Sequence, residues 1–351
     1  MGRPMQPRNE AILRGHGGRV DEAERLYPEA PTPWIDLSTG INPHAYPVPA
    51  VDPEAYRRLP LGRDIDRLTD AAAAAYGRPA GTALLPVPGS ELAIRLLPVI
   101  LGSRARVGVV GRTYSSHAAA WEETGATVRP LPALPDPAAR DLDVVVLVNP
   151  NNPDGASVSR AELLGFAEAW TATGRKLIVD EAFADVAPEL SLLAAERLPD
   201  GVLVLRSLGK FYGLAGLRVG FVAVAERAAM PWRRRLGDWP VSGPACAIAA
   251  AALLDTAWAA TMRARLAADR ARLEGMLVSG GLRILGGTDL FVLAEGPPGR
   301  DLVDAFAHAG ILVRGFPHTP NRYRFGLPAD EPAFARLAAA CRSLAAAAPG
   351  R

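Results

Sequence analysis

Two of the 39 Lys and Arg residues are lysines, Lys176 and Lys210, so the chain uses arginine wherever plain positive charge suffices. A lysine that survives this bias invites a question about its amine. Lys210 lies in VLRSLGKFYGLAGLRVGF (204–221), three residues after Ser207, beside Gly209 and an aromatic pair, with Arg218 eight residues further on. A lysine in a loop is usually solvated. Apolar neighbours weaken that reading, because a desolvated amine loses its charge more easily and becomes nucleophilic, which a guanidinium cannot do. Other polar residues also sit at the ends of apolar runs. Asp180 closes KLIVD (176–180), where it either caps a helix or pairs with a buried cation. Asn152 lies in NPNNPDG (149–155), directly after DVVVLV, in residues that also make ordinary turns. Arg218 has a Gly-rich approach that suits an anion better than a surface ion pair.

Several other chemistries find no support. LIVDE resembles the acidic strand of a P-loop ATPase, but Lys210 is followed by Phe211 and residue 204 is Val204, so no phosphate-loop motif accompanies it. No G-x-G-x-x-G follows a strand. Cys246 and Cys341 are far apart, and the histidines at 16, 44, 117, 308 and 318 form no His-x-x-x-His pair. Net charge is +2 with scattered arginines, which argues against nucleic acid as a partner. There is no cationic start followed by an apolar run, and no apolar span of about 18 residues. The expectation is a soluble, cytoplasmic protein with no membrane partner.

The elements that must carry these residues alternate in type. A helix is expected from Gly89-Ser90-Glu91 to the end of LAIRLLPVIL, with the Ser90 hydroxyl as its N-cap. RVGVV, HAAAWEETG, ATVRPL, DVVVLV, RAELLGFAEAWTATG, KLIVD, GVLVLRS and VGFVAVA then alternate between apolar strands and amphipathic helices. This pattern predicts an α/β fold with a mainly parallel sheet covered on both faces, with ligands at the carboxyl ends of its strands. Residues 1–35 read as an extended arm. Beyond about 238, one long helix (244–278), the runs LRILGGTDLFVLAE, ILVRGF and RYRFGL, and a closing Ala-rich helix read as a smaller α+β domain. The expected division is an arm that contributes to the small domain (1–45), a large domain (46–238) and a small domain (239–351).

Taken together, the order Asn152, Asp180, Ser207, Lys210, Arg218 resembles that of the fold-type I pyridoxal-phosphate enzymes, over about residues 15 to 345. The resemblance implies a large domain with a seven-stranded sheet, a smaller α+β domain, and pyridoxal 5'-phosphate as cofactor. It implies that Lys210 holds the cofactor aldehyde as an imine and later moves a proton. Asp180 would pair with the pyridinium nitrogen and Asn152 with the phenolic oxygen, while Tyr114 would stack on the ring. The cofactor phosphate would lie at the helix start, on backbone N–H groups at Ser90 and Glu91, closed by Ser207 and Arg218.

RGHGGRV (14–20), WIDLSTGINPHAYP (34–47), PVPGSELAIRLLP, VDEAFAD and LGKFYGLAGLRVGF resemble the threonine-phosphate decarboxylase branch of that superfamily. The related histidinol-phosphate aminotransferases, the alternative, usually lack the His-Gly-Gly opening. The resemblance implies a phosphorylated amino acid as small-molecule substrate and a homodimer. It assigns His16, Gly17, Gly18, Gly40, Asn152, Arg314 and Arg324 to the substrate. Arg324 would anchor the α-carboxylate, Gly17 and Gly18 would offer free backbone N–H groups to an anion, and Arg19 is a further cation nearby. Some positions depart from the pattern. Phe183 stands where many relatives have Tyr, Gly209 where they have a small hydroxyl residue, and Leu59 where a tyrosine reaches the neighbouring subunit, with Tyr56 close by.

Overall fold

The computed structural model describes residues 15–346; Arg14 and the rest of the expected arm before it lie outside the described residues. The chain divides into two compact units, residues 45–260 and residues 1–44 with 261–351. The twelve strands are β1 (Ile35–Leu37), β2 (Thr82–Val87), β3 (Arg106–Val110), β4 (Thr127–Leu131), β5 (Val144–Val148), β6 (Lys176–Asp180), β7 (Val202–Ser207), β8 (Gly220–Ala225), β9 (Arg283–Thr288), β10 (Phe291–Glu295), β11 (Ile311–Gly315) and β12 (Arg322–Gly326).

In the unit spanning 45–260, seven strands form one sheet in the order β2-β8-β7-β6-β5-β3-β4. Strands β3 to β7 pair in parallel, and β8 runs antiparallel between β2 and β7. Every residue of β5 and β7 is buried, as expected for strands with both faces covered. The helix Arg160–Thr171 shows how a covering face is built: Leu163, Phe166, Ala167 and Trp170 recur at helical spacing and are buried, and the Ser159 hydroxyl caps the first turn through the Glu162 amide. Trp121 and Trp232 are buried in a core formed with Val107, Val146, Ile178, Leu205 and Val222.

The strand order reverses between β5 and β3, and the carboxyl ends of the parallel strands there define the edge at which such sheets bind ligands. Because β8 is antiparallel, the residues that enter it lie at this same edge.

The helix expected over 244–278 is two helices, Gly243–Leu254 and Thr256–Ser279. Asp255 causes the break: its Oδ1 accepts the Trp258 amide at 2.9 Å and so starts a new helix where the first one ends. Residues 239–260 belong to the larger unit, because the helix Gly243–Leu254 packs on the helix Gly62–Tyr76. The unit boundary therefore falls at 260/261, whereas composition placed it at 238.

The other unit has a five-stranded sheet in the order β1-β11-β12-β10-β9. LRILGGTDLFVLAE is a hairpin, β9 and β10, with a register shift between Leu293 and Ala294. The segment before residue 35 is not extended throughout. Val20–Leu26 is a short helix that buries Ala23, and β1 pairs in parallel with β11 through Ile35 and Ile311. Among the described residues no single helix is long and apolar enough to cross a membrane, and no group of three or more His, Cys, Asp and Glu side chains could hold a metal ion.

Candidate active site

The topology brings eight candidate cofactor residues to one edge of the seven-stranded sheet. Tyr114 follows β3, Asn152 follows β5, Asp180 ends β6, Ser207 ends β7 and Lys210 follows it. Arg218 precedes β8, and Ser90 and Glu91 open the helix Ser90–Leu101 after β2.

The helix start differs from expectation in one respect. Gly89, not Ser90, is the N-cap residue, and no side chain caps the first turn. The reason is steric: a Cβ on Gly89 would lie 2.6 Å from Arg218 Nη2, and Gly89 sits at φ +82°. Arg218 is the sole non-glycine at positive φ among the described residues, at φ 58° and ψ 49°. That conformation costs about 1–3 kcal/mol and persists where surroundings demand it. Backbone amides at a helix start, a glycine without a side chain and a guanidinium brought against it together make a cradle for a phosphate.

Asp180 is 3% exposed, and its Oδ1 accepts the Ala182 amide at 3.0 Å. Its Oδ2 lies 2.9 Å from Nε2 of His117, which is fully buried. His117 is the residue that sequence reasoning missed at this edge. It follows Tyr114 by one helical turn, and the two rings meet edge to face at 6.4 Å. Burial pushes the Tyr114 phenol above its ordinary range, and the Glu91 carboxylate adds to the effect. Lys210 is half-buried, with Nζ 5.7 Å from the centre of the Phe183 ring, so the departure at Phe183 puts an apolar face under the amine.

The turn that carries Asn152 is closed by its neighbours. Asn149 exchanges hydrogen bonds with Val158 at 3.0 and 2.9 Å, and Asn151 Nδ2 donates to the Arg112 carbonyl and to Asp154. Asn152 itself is half-buried. Beneath this edge lies a second charged group that the sequence did not announce. Arg206 donates to Glu181 at 3.0 Å and Asp185 at 2.7 Å and stacks on Tyr76, with all three charged side chains at most 3% exposed. Burial opposes the charge on Arg206, but the two carboxylates prevail and hold its pKa above the ordinary value.

Apart from Asn152, which follows β5 in the larger unit, the candidate substrate residues belong to the unit of the five-stranded sheet. Arg314 and Arg324 are register partners across β11 and β12. Arg324 is 7% exposed and donates through Nη2 to the Ser38 carbonyl at 2.6 Å. Gly40 is buried after β1, and His16 is exposed on the turn before the helix Val20–Leu26. The expectation of a free amide at Gly18 fails, because that amide donates to Ser38 Oγ at 2.8 Å. Arg19 is also committed, with Nη1 at 2.9 Å from both oxygens of Glu22.

The model of the aminotransferase class I and II family matches residues 34–340. The chain belongs to that family. It is 43% identical over 327 residues to threonine-phosphate decarboxylase of Pseudomonas aeruginosa, covering 93% of this chain and 96% of the relative. It is 41% identical to the enzyme of the same name from a Sinorhizobium species, with 92% and 96% covered. A histidinol-phosphate aminotransferase of Mycobacterium tuberculosis is 32% identical, with 87% and 83% covered. Among solved structures, histidinol-phosphate aminotransferase from Sinorhizobium meliloti in complex with pyridoxal-5'-phosphate superposes with a TM-score of 0.73 at 20% identity, with 98% and 99% covered.

Proposed function

We propose that the chain decarboxylates L-threonine O-3-phosphate to (R)-1-aminopropan-2-yl phosphate, the precursor of the aminopropanol linker of cobalamin, with pyridoxal 5'-phosphate as cofactor. The observation that carries this reading is the identity of 41–43% over more than nine-tenths of the chain to threonine-phosphate decarboxylases, against 32% to a histidinol-phosphate aminotransferase.

The residues at the sheet edge fit the cofactor. Lys210 is the primary amine that would hold it and release it to substrate. Asp180 would keep the proton on the ring nitrogen, and His117 fixes the orientation of that carboxylate. Asn152 and Tyr114 would meet the ring, while Ser207, Arg218 and the amides of Ser90 and Glu91 would take its phosphate. When bound, the cofactor supplies an electron sink for the bond broken at the substrate α-carbon.

The protein's own contribution is binding and orientation. A phosphorylated amino acid carries two anionic groups, and Arg314 with Arg324 offers two adjacent cations to receive them. Held at both ends, the substrate cannot rotate, so binding energy is spent on which α-carbon bond stands perpendicular to the cofactor plane. Decarboxylation requires the carboxylate in that position, whereas amino transfer requires the hydrogen there. Fold and cofactor are shared between the two reactions, so orientation alone separates them.

The protein works as a cytoplasmic homodimer in this reading. Support for the dimer comes from the exposed apolar side chains Val48, Tyr56, Leu59, Trp239 and Leu254 on the larger unit. Sedimentation at micromolar concentration tests the dimer. The reaction is tested by supplying O-phospho-L-threonine and measuring carbon dioxide. Amino transfer to 2-oxoglutarate without carbon dioxide release sinks the assignment.

A further inference from the structure

Ser38 makes four hydrogen bonds that join the His16-Gly17-Gly18 turn to Arg324. Its hydroxyl accepts the Gly18 amide at 2.8 Å and donates to Asp36 Oδ1 at 2.5 Å. Its own amide donates to that same Asp36 oxygen at 2.8 Å, and its carbonyl accepts Arg324 Nη2 at 2.6 Å. The residue is 1% exposed. Gly17 completes the arrangement, because a Cβ there would lie 2.4 Å from the Ser38 carbonyl oxygen. These glycines therefore do more than form a turn. One commits its amide to Ser38, and the other lets the chain lie against the carbonyl that holds the arginine.

A guanidinium is planar, so fixing one of its nitrogens fixes the direction of its whole fork. Arg324 faces Arg314 directly across two antiparallel strands, where like charges repel. Its orientation must then be held by an acceptor that cannot move. Ser38 is such an acceptor, because Asp36 grips both its amide and its hydroxyl. We infer that Ser38 is a positioning residue that transmits the placement of the His16-Gly17-Gly18 turn to the plane of Arg324, and so sets how tightly the arginine pair takes a phosphorylated ligand. The choice of ligand rests on the proposed function; the linkage through Ser38 does not.

The test uses the full-length, cofactor-loaded protein with Gly17→Ala and Ser38→Ala. Kinetics with O-phospho-L-threonine are paired with titration calorimetry using inorganic phosphate as the probe. Both variants are expected to raise KM about tenfold, the scale of one weakened hydrogen bond to a charged group, with kcat within about twofold. Phosphate binding weakens in parallel, while cofactor absorbance stays that of the parent. Gly17→Ala leaves every side chain of the linkage in place and displaces the turn from the Ser38 carbonyl, and it serves if Ser38→Ala does not fold. Unchanged phosphate affinity in the variants overturns the inference, as does a loss of cofactor that parallels the loss of phosphate. If the parent releases no carbon dioxide, the decarboxylase reading falls, and the phosphate titration still decides the role of Ser38.

Discussion

His117 and Asp180 form a buried pair: imidazole Nε2 lies 2.9 Å from carboxylate Oδ2, and the two side chains are 0% and 4% exposed. A carboxylate so enclosed has little freedom to turn, and its second oxygen is already held by the Ala182 amide. Asp180→Asn is expected to keep the fold and lower kcat by at least about 100-fold, the scale of a lost electrostatic partner at a reacting centre. His117→Phe should give a smaller loss, because it frees the carboxylate without removing it. Steady-state decarboxylation rates for the two variants check the order; equal losses would contradict it.

Lys210→Ala and Lys210→Arg should both abolish the visible absorbance of the lysine-bound cofactor, since neither side chain offers an amine that deprotonates. Absorbance spectra of the purified variants decide this. A persisting band would assign the cofactor to another residue.

Gly89→Ala should weaken cofactor retention about tenfold or more. The new methyl would meet Arg218 and would also hold a left-handed backbone, which costs about 1–2 kcal/mol. Dialysis against cofactor-free buffer, followed by spectrophotometry, measures the loss.

Arg206→Met should destabilise the fold by about 3–5 kcal/mol, because it strands Glu181 and Asp185 as buried carboxylates with no cation between them. Replacing all three charged residues with apolar ones of similar volume should cost less than the single change. Denaturant unfolding of the two proteins compares them.

Burial pushes both thiols, Cys246 and Cys341, up to about 11 from 9.0. A thiol whose pKa rises on folding favours the folded state in full below its unfolded pKa. That contribution is lost as pH climbs through the interval toward 11, since unfolded thiols ionise first. Stability should accordingly decline between pH 9 and 11. A thiol reagent at neutral pH should modify neither residue in the native protein and both in denaturant.

The sheet, and the gathering of Lys210, Asp180 and Arg218 at one of its edges, were legible because apolar runs alternate with amphipathic helices and leave these polar residues where strands end or begin. In the proposed chemistry an amine, a carboxylate and a guanidinium cannot be exchanged there, which is why Lys210, Asp180 and Arg218 stand out even in a biased composition. His117 was not legible. In HAAAW it reads as one polar position on an amphipathic helix, and only the tertiary fold puts it against Asp180. Its available signal was position, one turn beyond Tyr114 at the exit of β3. Ser38 offered a local signal in the Asp36-x-Ser38 spacing, a common side-chain-to-backbone motif. Its bonds to Gly18 and Arg324 span 20 and 286 residues and leave no periodic trace. The helix Val20–Leu26 buries one alanine completely, too little to rise above the polar, Pro-rich run around it.

The pairing of β1 with β11 also has a consequence for how the chain is made. Ile35 must wait for Ile311, 276 residues later, before its strand finds a neighbour. At a synthesis rate of about 5–20 residues per second, that wait is roughly 14–55 s. Residues 45–260 emerge completely within it and hold all seven strands of the larger sheet. On the ribosome, the N-terminal strand should therefore remain open to proteases or chaperones after the larger sheet has closed, and should become protected only as the last strands leave the exit tunnel.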